Sequence, residues 1–323
     1  MKSYLILSLI LCICMLVFPF FSKLSVESDT DTSYKSETDK DKEESTTEKT
    51  IDVMRSSTGS ITTMDIFEYL VGTVAGEMPA SFHHEALKAQ AVVSYTYAKW
   101  LLEENKDEES YITDLSSLHQ KYIDKAEQKE KWQDTYEENR KRIEDAVKSV
   151  YGEFLTFDGK AAMTVFHALS SGKTLSSEEV WGDDVPYLVS VDAPGDIIAE
   201  KYESTVSIPA EEFRDSFEDE DVAFEDDNFK KWASVKEKSD DGYISVLTVS
   251  SCDFTARQVR KILSLPGNCF RAKTDSNGFV FTVHGKGHGV GMSQYSADYL
   301  ARQGKTYREI LNHFYPGTTL TKE

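Results

Sequence analysis

Glu77 stands in the segment Val74-Ala75-Gly76-Glu77-Met78-Pro79, three residues after Val74. It therefore shares a helical face with Ile66, Leu70 and Val74. A carboxyl group among apolar neighbours loses water, which favours the neutral form and raises the pKa. A general acid working near neutral pH needs that property. Most helix-end glutamates are exposed and ionised, so burial is what separates a catalytic reading from a surface one. Glu85 is the competing acid, and its i,i+3 spacing to Lys88 suits a surface ion pair equally well. His83 and His84 are adjacent and point in different directions, a poor arrangement for a metal.

Two loops supply further polar groups. Ser170-Ser171-Gly172-Lys173-Thr174 is one, and Gly285-Lys286-Gly287-His288-Gly289-Val290-Gly291-Met292-Ser293-Gln294-Tyr295 is the other. Glycines let backbone amides approach a ligand, and Ser, Gln and Tyr suit the hydroxyl and acetamido groups of a sugar. Taken singly, such glycines mark tight turns; four at alternate positions around His288 point to more. Neither loop has the GxxxxGK[ST] spacing of a phosphate loop or the dinucleotide fingerprint. Ser170, His288 and an aspartate lack the GxSxG elbow that a serine nucleophile requires. No CxxC or HExxH occurs, so no metal site and no cofactor are expected.

These groups need a scaffold, and 323 residues are enough for one sizeable core or two smaller ones. Asp and Glu outnumber Lys and Arg by 56 to 36, and the net charge of -20 argues against nucleic acid or anionic lipid headgroups as general partners. Tyr4 to Phe21 is an uncharged, mostly apolar run without a small-residue cleavage site. It predicts a membrane anchor over residues 1–22, with the remainder outside the cytoplasm. Residues 23–60 are Ser, Thr, Asp, Glu and Lys with few large apolar residues, the composition of a disordered tether.

From residue 61 to 323 the pattern predicts one α+β domain of mixed helices and antiparallel strands. A helix through Ile66, Leu70 and Val74 ends at Pro79, and a second opens near Ser81 as N-cap. A long amphipathic helix runs through Trp132, Tyr136, Ile143 and Val147 to Gly152. Residues 153–157 and 162–166 flank Asp158-Gly159-Lys160 as a hairpin, and strands follow at 187–191, 244–249 and 279–283. The acidic stretch Glu212–Asp241 reads as a surface insertion or subdomain edge, and a last helix spans 296–314 before Pro316-Gly317. Cys252 and Cys269 allow either a disulfide or two thiols.

Glu77-Met78-Pro79-Ala80-Ser81-Phe82, Glu85-Ala86-Leu87-Lys88-Ala89-Gln90-Ala91, the Ser-Gly-Lys-Thr loop running on to Val180-Trp181, Pro186-Tyr187-Leu188, Gly287-His288-Gly289-Val290-Gly291-Met292-Ser293-Gln294-Tyr295 and Tyr315-Pro316-Gly317-Thr318 together resemble the stage II sporulation protein D family, from about Ile66 to Thr319. The resemblance implies a lytic transglycosylase that cuts peptide-stripped peptidoglycan strands while the septal wall is remodelled during engulfment. Glu77 then becomes the catalytic acid/base, and Lys88 with Ser293-Gln294-Tyr295 belongs to the substrate cleft. Gln90, Ser170, Ser171, Gly172 and His288 complete the expected substrate contacts. A cell-wall amidase that strips the peptides first, and membrane proteins of the engulfment machinery, are the implied partners.

This chain departs from the family pattern at Tyr95 and His284, where arginines are usual, and at Ser171 and Ser296, where glycine is common. The stretch Thr113–Tyr122, which binds zinc through cysteines in some members, keeps only His119. Related domains are amidase enhancers, so the alternative expectation is a module that grips glycan or an amidase without cutting.

Overall fold

The computed structural model describes residues 49–105 and 111–323. The expected anchor and residues 23–48 of the expected tether lie outside them. Among the described residues, no helix is long and apolar enough to cross a membrane. Helix α1 (Ile66–Glu77) starts where the Asp65 side chain accepts the Glu68 N–H, and it stops two residues before Pro79. Tyr69 to Ala75 are buried along it. Ser81 does not cap the next helix: Phe82 N–H closes a turn on the Pro79 carbonyl, and His83 Nδ1 accepts the Glu85 N–H to open α2 (His84–Glu104). The chain needs that extra turn to swing round the proline.

The expected long amphipathic helix is two helices, α3 (Lys125–Trp132) and α4 (Tyr136–Ser149). Gln133 adopts φ +46° between them and a 3-10 turn, Gln133–Thr135, re-aims the chain. Helices α1, α2 and α4 share one large core, with Leu70, Val74, Leu87, Val92, Ile143 and Val147 buried in it. A short helix α5 (Ser177–Trp181) carries its own capping box from Ser176 to Glu179. The expected last helix is also divided, into α8 (Gln294–Arg302) and α9 (Tyr307–Phe314), with Gly304 at φ +88° between them.

Strand β1 (Thr50–Arg55) lies inside the stretch expected as tether and pairs antiparallel with β2 (Ser60–Asp65). Ile51 and Val53 alternate inward from β1 and are buried, so the ordered part begins at least ten residues before residue 61. Strand β3 (Ile112–Thr113) joins β1 in parallel. The Asp158-Gly159 turn forms as expected, both residues at positive φ, between β4 (Glu153–Phe157) and β5 (Lys160–Ala161). The hairpin's second strand is shorter than expected. After Ala161 the chain leaves it, and β6 (Phe166–His167) pairs in parallel with β13 (Met292–Ser293). Residues 187–191 are not a strand; the Thr174 side chain and backbone hold this segment as a loop.

A second core lies between residues 206 and 283. Strands β7 (Glu203–Pro209), β11 (Cys269–Thr274) and β12 (Gly278–His284) form one antiparallel sheet in the order β11-β12-β7. Strands β8 (Ala233–Lys238), β9 (Ile244–Val249) and β10 (Cys252–Thr255) form another; helix α6 (Ala210–Ser216) packs on β7 and β12 of the first sheet, and helix α7 (Ala256–Ile262) on β9 and β10 of the second. Phe213, Phe217, Trp232, Phe254 and Phe279 fill it. The acidic stretch thus carries buried aromatics that anchor a second core. Cys252 and Cys269 are free thiols. Strand β14 (Thr319–Lys322) closes on β4. The architecture is α+β, antiparallel apart from the short β1–β3 and β6–β13 pairs.

Segment 120–123 crosses α1 at two glycines one turn apart. A Cβ on Gly72 would sit 2.3 Å from the Tyr122 ring, and one on Gly76 would sit 2.5 Å from the Lys121 carbonyl oxygen. In an open helix Gly→Ala gains up to about 1 kcal/mol. Here the sign reverses: we expect Gly72→Ala and Gly76→Ala to lose on the order of 1–3 kcal/mol in denaturant unfolding, because backbone must move to admit the methyl group.

Candidate active site

Glu77 is the last residue of α1, and Lys121 N–H donates to its Oε1 at 2.5 Å. Ile123 N–H bonds to the Gly72 carbonyl one turn earlier, at 3.2 Å. The crossing segment is therefore stitched along the helix and covers the carboxyl group. Lys131 Nζ donates to the Ala75 carbonyl at 2.7 Å. Burial pushes the Glu77 pKa up to about 7, against the opposing pull of the Lys121 N–H and of the Lys121 and Lys131 ammonium groups. The carboxyl can thus hold or release a proton near neutral pH.

Glu85 has the opposite environment. Burial raises its pKa, but the Lys88 ammonium at 2.7 Å and the Tyr307 N–H at 2.7 Å outweigh that and hold it below the ordinary carboxylate range. An ionised, doubly bonded carboxylate does not serve as a proton donor. Lys88 is correspondingly committed to Glu85 and lies over the Tyr307 ring, so it braces α2 against α9.

Several residues expected to touch substrate are instead interior. Gln90 is fully buried, Gln294 is 5% exposed, and Gln294 Nε2 donates to Gln90 Oε1 at 3.2 Å. Gln90 Nε2 donates to Ser94 Oγ, and the Ser94 carbonyl accepts from Gln120 Nε2, which also reaches the Tyr69 hydroxyl. This chain of buried polar groups runs from the start of α8 to the residue preceding Lys121. Ser170 and Ser293 are buried too, and both serve Asp196: Oδ2 accepts the Ser170 N–H and hydroxyl, while Oδ1 accepts the Ser293 and Ser296 hydroxyls at 2.6 and 2.9 Å. Burial raises the Asp196 pKa despite these bonds. The glycine loop and the Ser-Ser-Gly loop are tied together by this one carboxyl. Nothing about the spacing of Asp196 marked it in the sequence.

The remaining expected contacts are scattered. Tyr295 is half-buried and packs edge-on against Phe82, with ring centroids 5.1 Å apart, in the turn that follows Glu77. Ser171 offers its carbonyl to the Tyr202 hydroxyl, and Gly172, at φ +105°, lies against Ile197. His288 is pushed down to about 3 by burial, lies 5.8 Å from His167 and 5.6 Å from Trp181 between ring centroids, and accepts the Val290 N–H. His167 is pushed down to about 4 by burial as well, so both imidazoles are neutral. His119 accepts the Thr113 N–H, and no group of His, Cys, Asp and Glu side chains suited to a metal occurs among the described residues. Tyr95 donates to the Glu323 side chain, which also pairs with Lys49 and Lys99. His284 pairs with Glu203 at 3.0 Å.

Residues 54–157, which hold α1, Glu77 and the crossing segment, match the family model described as stage II sporulation protein. The chain is 33% identical over 276 residues to stage II sporulation protein D of Bacillus subtilis (strain 168), a match spanning 84% of this chain and 79% of that protein. It belongs to the stage II sporulation protein D family. The Bacillus amyloliquefaciens member is 31% identical over the same share of each chain. The amidase enhancer of B. subtilis (strain 168) is 24% identical, covering 78% of this chain and 40% of that larger protein. Membership associates the chain with sporulation. Within the family domain, Glu77 is a half-buried residue whose carboxyl group has cations and a backbone N–H as neighbours.

The raised pKa of Glu77 has a cost to stability. Below its unfolded value of 4.5 the group is protonated in both states; above about 7 it is ionised in both, and the folded state bears the desolvation. Glu77→Gln keeps an acceptor for Lys121 N–H without the charge. Thermal and denaturant unfolding should show the variant more stable than wild type by on the order of 2–3 kcal/mol above pH 7, a gain that shrinks to nothing as pH falls to about 4.5.

Proposed function

We propose that this chain is a lytic transglycosylase that cleaves peptide-stripped peptidoglycan strands and leaves 1,6-anhydromuramyl ends, acting outside the cytoplasm during engulfment. The observation that carries the reading is the solitary character of Glu77. Among the described residues, the charged groups that act on it are Lys121 and Lys131, and no second carboxylate joins them. Hydrolysing glycosidases commonly use two carboxyl groups about 5 to 9.5 Å apart. A transglycosylase needs one, because the muramic acid's own 6-hydroxyl replaces water.

In this scheme the neutral Glu77 donates its proton to the glycosidic oxygen as the bond to the muramic acid C1 breaks. The carboxylate so formed takes the proton from the 6-hydroxyl of the same sugar, whose oxygen closes on C1. Atoms and protons balance, and Glu77 ends as it began, protonated. The Lys121 N–H and the two lysines limit the charge cost of the carboxylate stage. The apolar run at 4–21 would anchor the chain, with residues 61–323 facing the wall.

The likeness to an amidase enhancer favours a second reading, a module that holds glycan or a cell-wall amidase without cutting. One assay separates them: the chain incubated with peptide-free strands in the absence of any amidase. The transglycosylase reading predicts products lighter by one water at the muramyl end. It also predicts a rate that declines as pH rises past about 7. Glu77→Gln should lower the rate by about 100-fold or more, whereas Glu85→Gln should stay within about tenfold of wild type. Absence of anhydro ends with wild-type protein would leave only the binding module.

A further inference from the structure

A cavity of about 390 Å³ opens where the start of β1 meets helices α1 and α2. Its inner wall is apolar, with Ile51, Tyr69 and Ala98 buried there and Leu102 half-buried. Its mouth is charged, because Lys49, Lys99, Glu103 and Glu323 stand around it. Three donors converge on the Glu323 side chain: Lys49 pairs with Oε2, Lys99 with Oε1, and the Tyr95 hydroxyl donates to Oε2 at 3.0 Å. Lys99 is also fixed over the Phe154 ring, 4.5 Å from its centroid. The Glu323 backbone is held separately, by its N–H on the Gly152 carbonyl at 3.0 Å. The side chain can therefore swing out while β14 stays paired. In a chain with 20 excess negative charges, two ammonium groups gathered at one apolar opening do not reflect a generally basic surface. Burial and the Lys49 ammonium hold Lys99 below the ordinary lysine range, against the pull of Glu103.

We propose that this cavity binds a free fatty acid of medium chain length, whose carboxylate replaces the Glu323 side chain on Lys49, Lys99 and Tyr95 while its acyl chain lies along Tyr69, Ala98 and Leu102. The donors already hold a carboxylate, so the headgroup they fit is on display. Charge complementarity favours that headgroup over a neutral or cationic amphiphile, and the apolar wall excludes a sugar or an inorganic anion as the better occupant. A cavity of about 150 Å³ holds one benzene ring, so this one has room for an acyl chain of about ten carbons. Glu323 is then a built-in competitor that each ligand must displace. The inference goes beyond the cleavage reading and does not rest on it.

The test is isothermal titration of the full chain with decanoate, octanoate, 1-octanol and acetate. The expected result is one octanoate per chain, bound at least about tenfold more tightly than 1-octanol or acetate, with decanoate tighter again by up to about tenfold. Lys49→Gln/Lys99→Gln should bring octanoate down to the level of 1-octanol, and Lys49→Arg/Lys99→Arg should restore it. Glu323→Gln keeps both lysines and removes the competitor, so it should tighten octanoate by roughly three- to tenfold. A merely structural Glu323 would not produce that gain. Thermal melting of each variant checks the fold, and Glu323→Gln alone decides the matter if the double glutamine variant does not fold. Equal binding of octanoate and 1-octanol, uptake of several molecules per chain regardless of the lysines, or unchanged or weaker binding in Glu323→Gln overturns the proposal. A short apolar peptide with a free C-terminus that binds more tightly than decanoate would overturn the acyl assignment in favour of a peptide end.

Discussion

The hydrogen bond from Lys121 N–H to Glu77 Oε1 is the contact around which the rest of the site is arranged. It exists because segment 120–123 lies directly on α1, and that approach is open only at Gly72 and Gly76. The same segment partly shields the carboxyl group from water. Desolvation favours the neutral acid while the N–H favours the carboxylate, and desolvation wins, leaving the pKa at about 7. A group in that balance moves a proton in either direction at little cost, as a one-carboxylate mechanism requires.

The crossing segment is in turn held from behind. Gln120 reaches both Tyr69 on α1 and Ser94 on α2, and Ser94 belongs to the buried chain through Gln90 to Gln294. Buried polar networks fix geometry when their members are satisfied, since each broken link strands a group in a low-dielectric interior. At the other end, Asp196 gathers hydroxyls from the 170 loop and from the start of α8. The polar residues of both loops thus act largely as internal ties. Exposed polar groups that could meet a glycan are fewer, and the two lysines beside Glu77 are prominent among them.

How much of this was legible in the sequence varied by the range of the forces involved. Glu77 could be placed on the apolar face of a helix ended by Pro79, and the α+β class followed from the switch in period, because both are local. The breaks at Gln133 and Gly304 were not, since a continuous apolar stripe survives two helices that pack on the same core. Strand β1 was hidden in a polar stretch where only Ile51 and Val53 face inward. The second core was masked by its own acidic surface, although Phe213 and Phe217 at i,i+4 spacing were a signal. Gln90, Ser170, Ser293 and Gln294 looked like ligand contacts because side-chain type does not reveal burial. Lys121, Lys131 and Asp196 meet their partners only through long-range packing, and so does the segment that lies on Gly72 and Gly76.

The chemistry of the site depends on Glu77 keeping a substantial fraction of its proton near pH 7. The direct measurement is a carbon-13 NMR titration of the Glu77 side-chain carboxyl in the folded chain, assigned by its loss in Glu77→Gln. A midpoint near 7 is the predicted result. A midpoint at the ordinary glutamate value of about 4.5 would contradict the account, because the crossing segment would then not be withholding water from the carboxyl group.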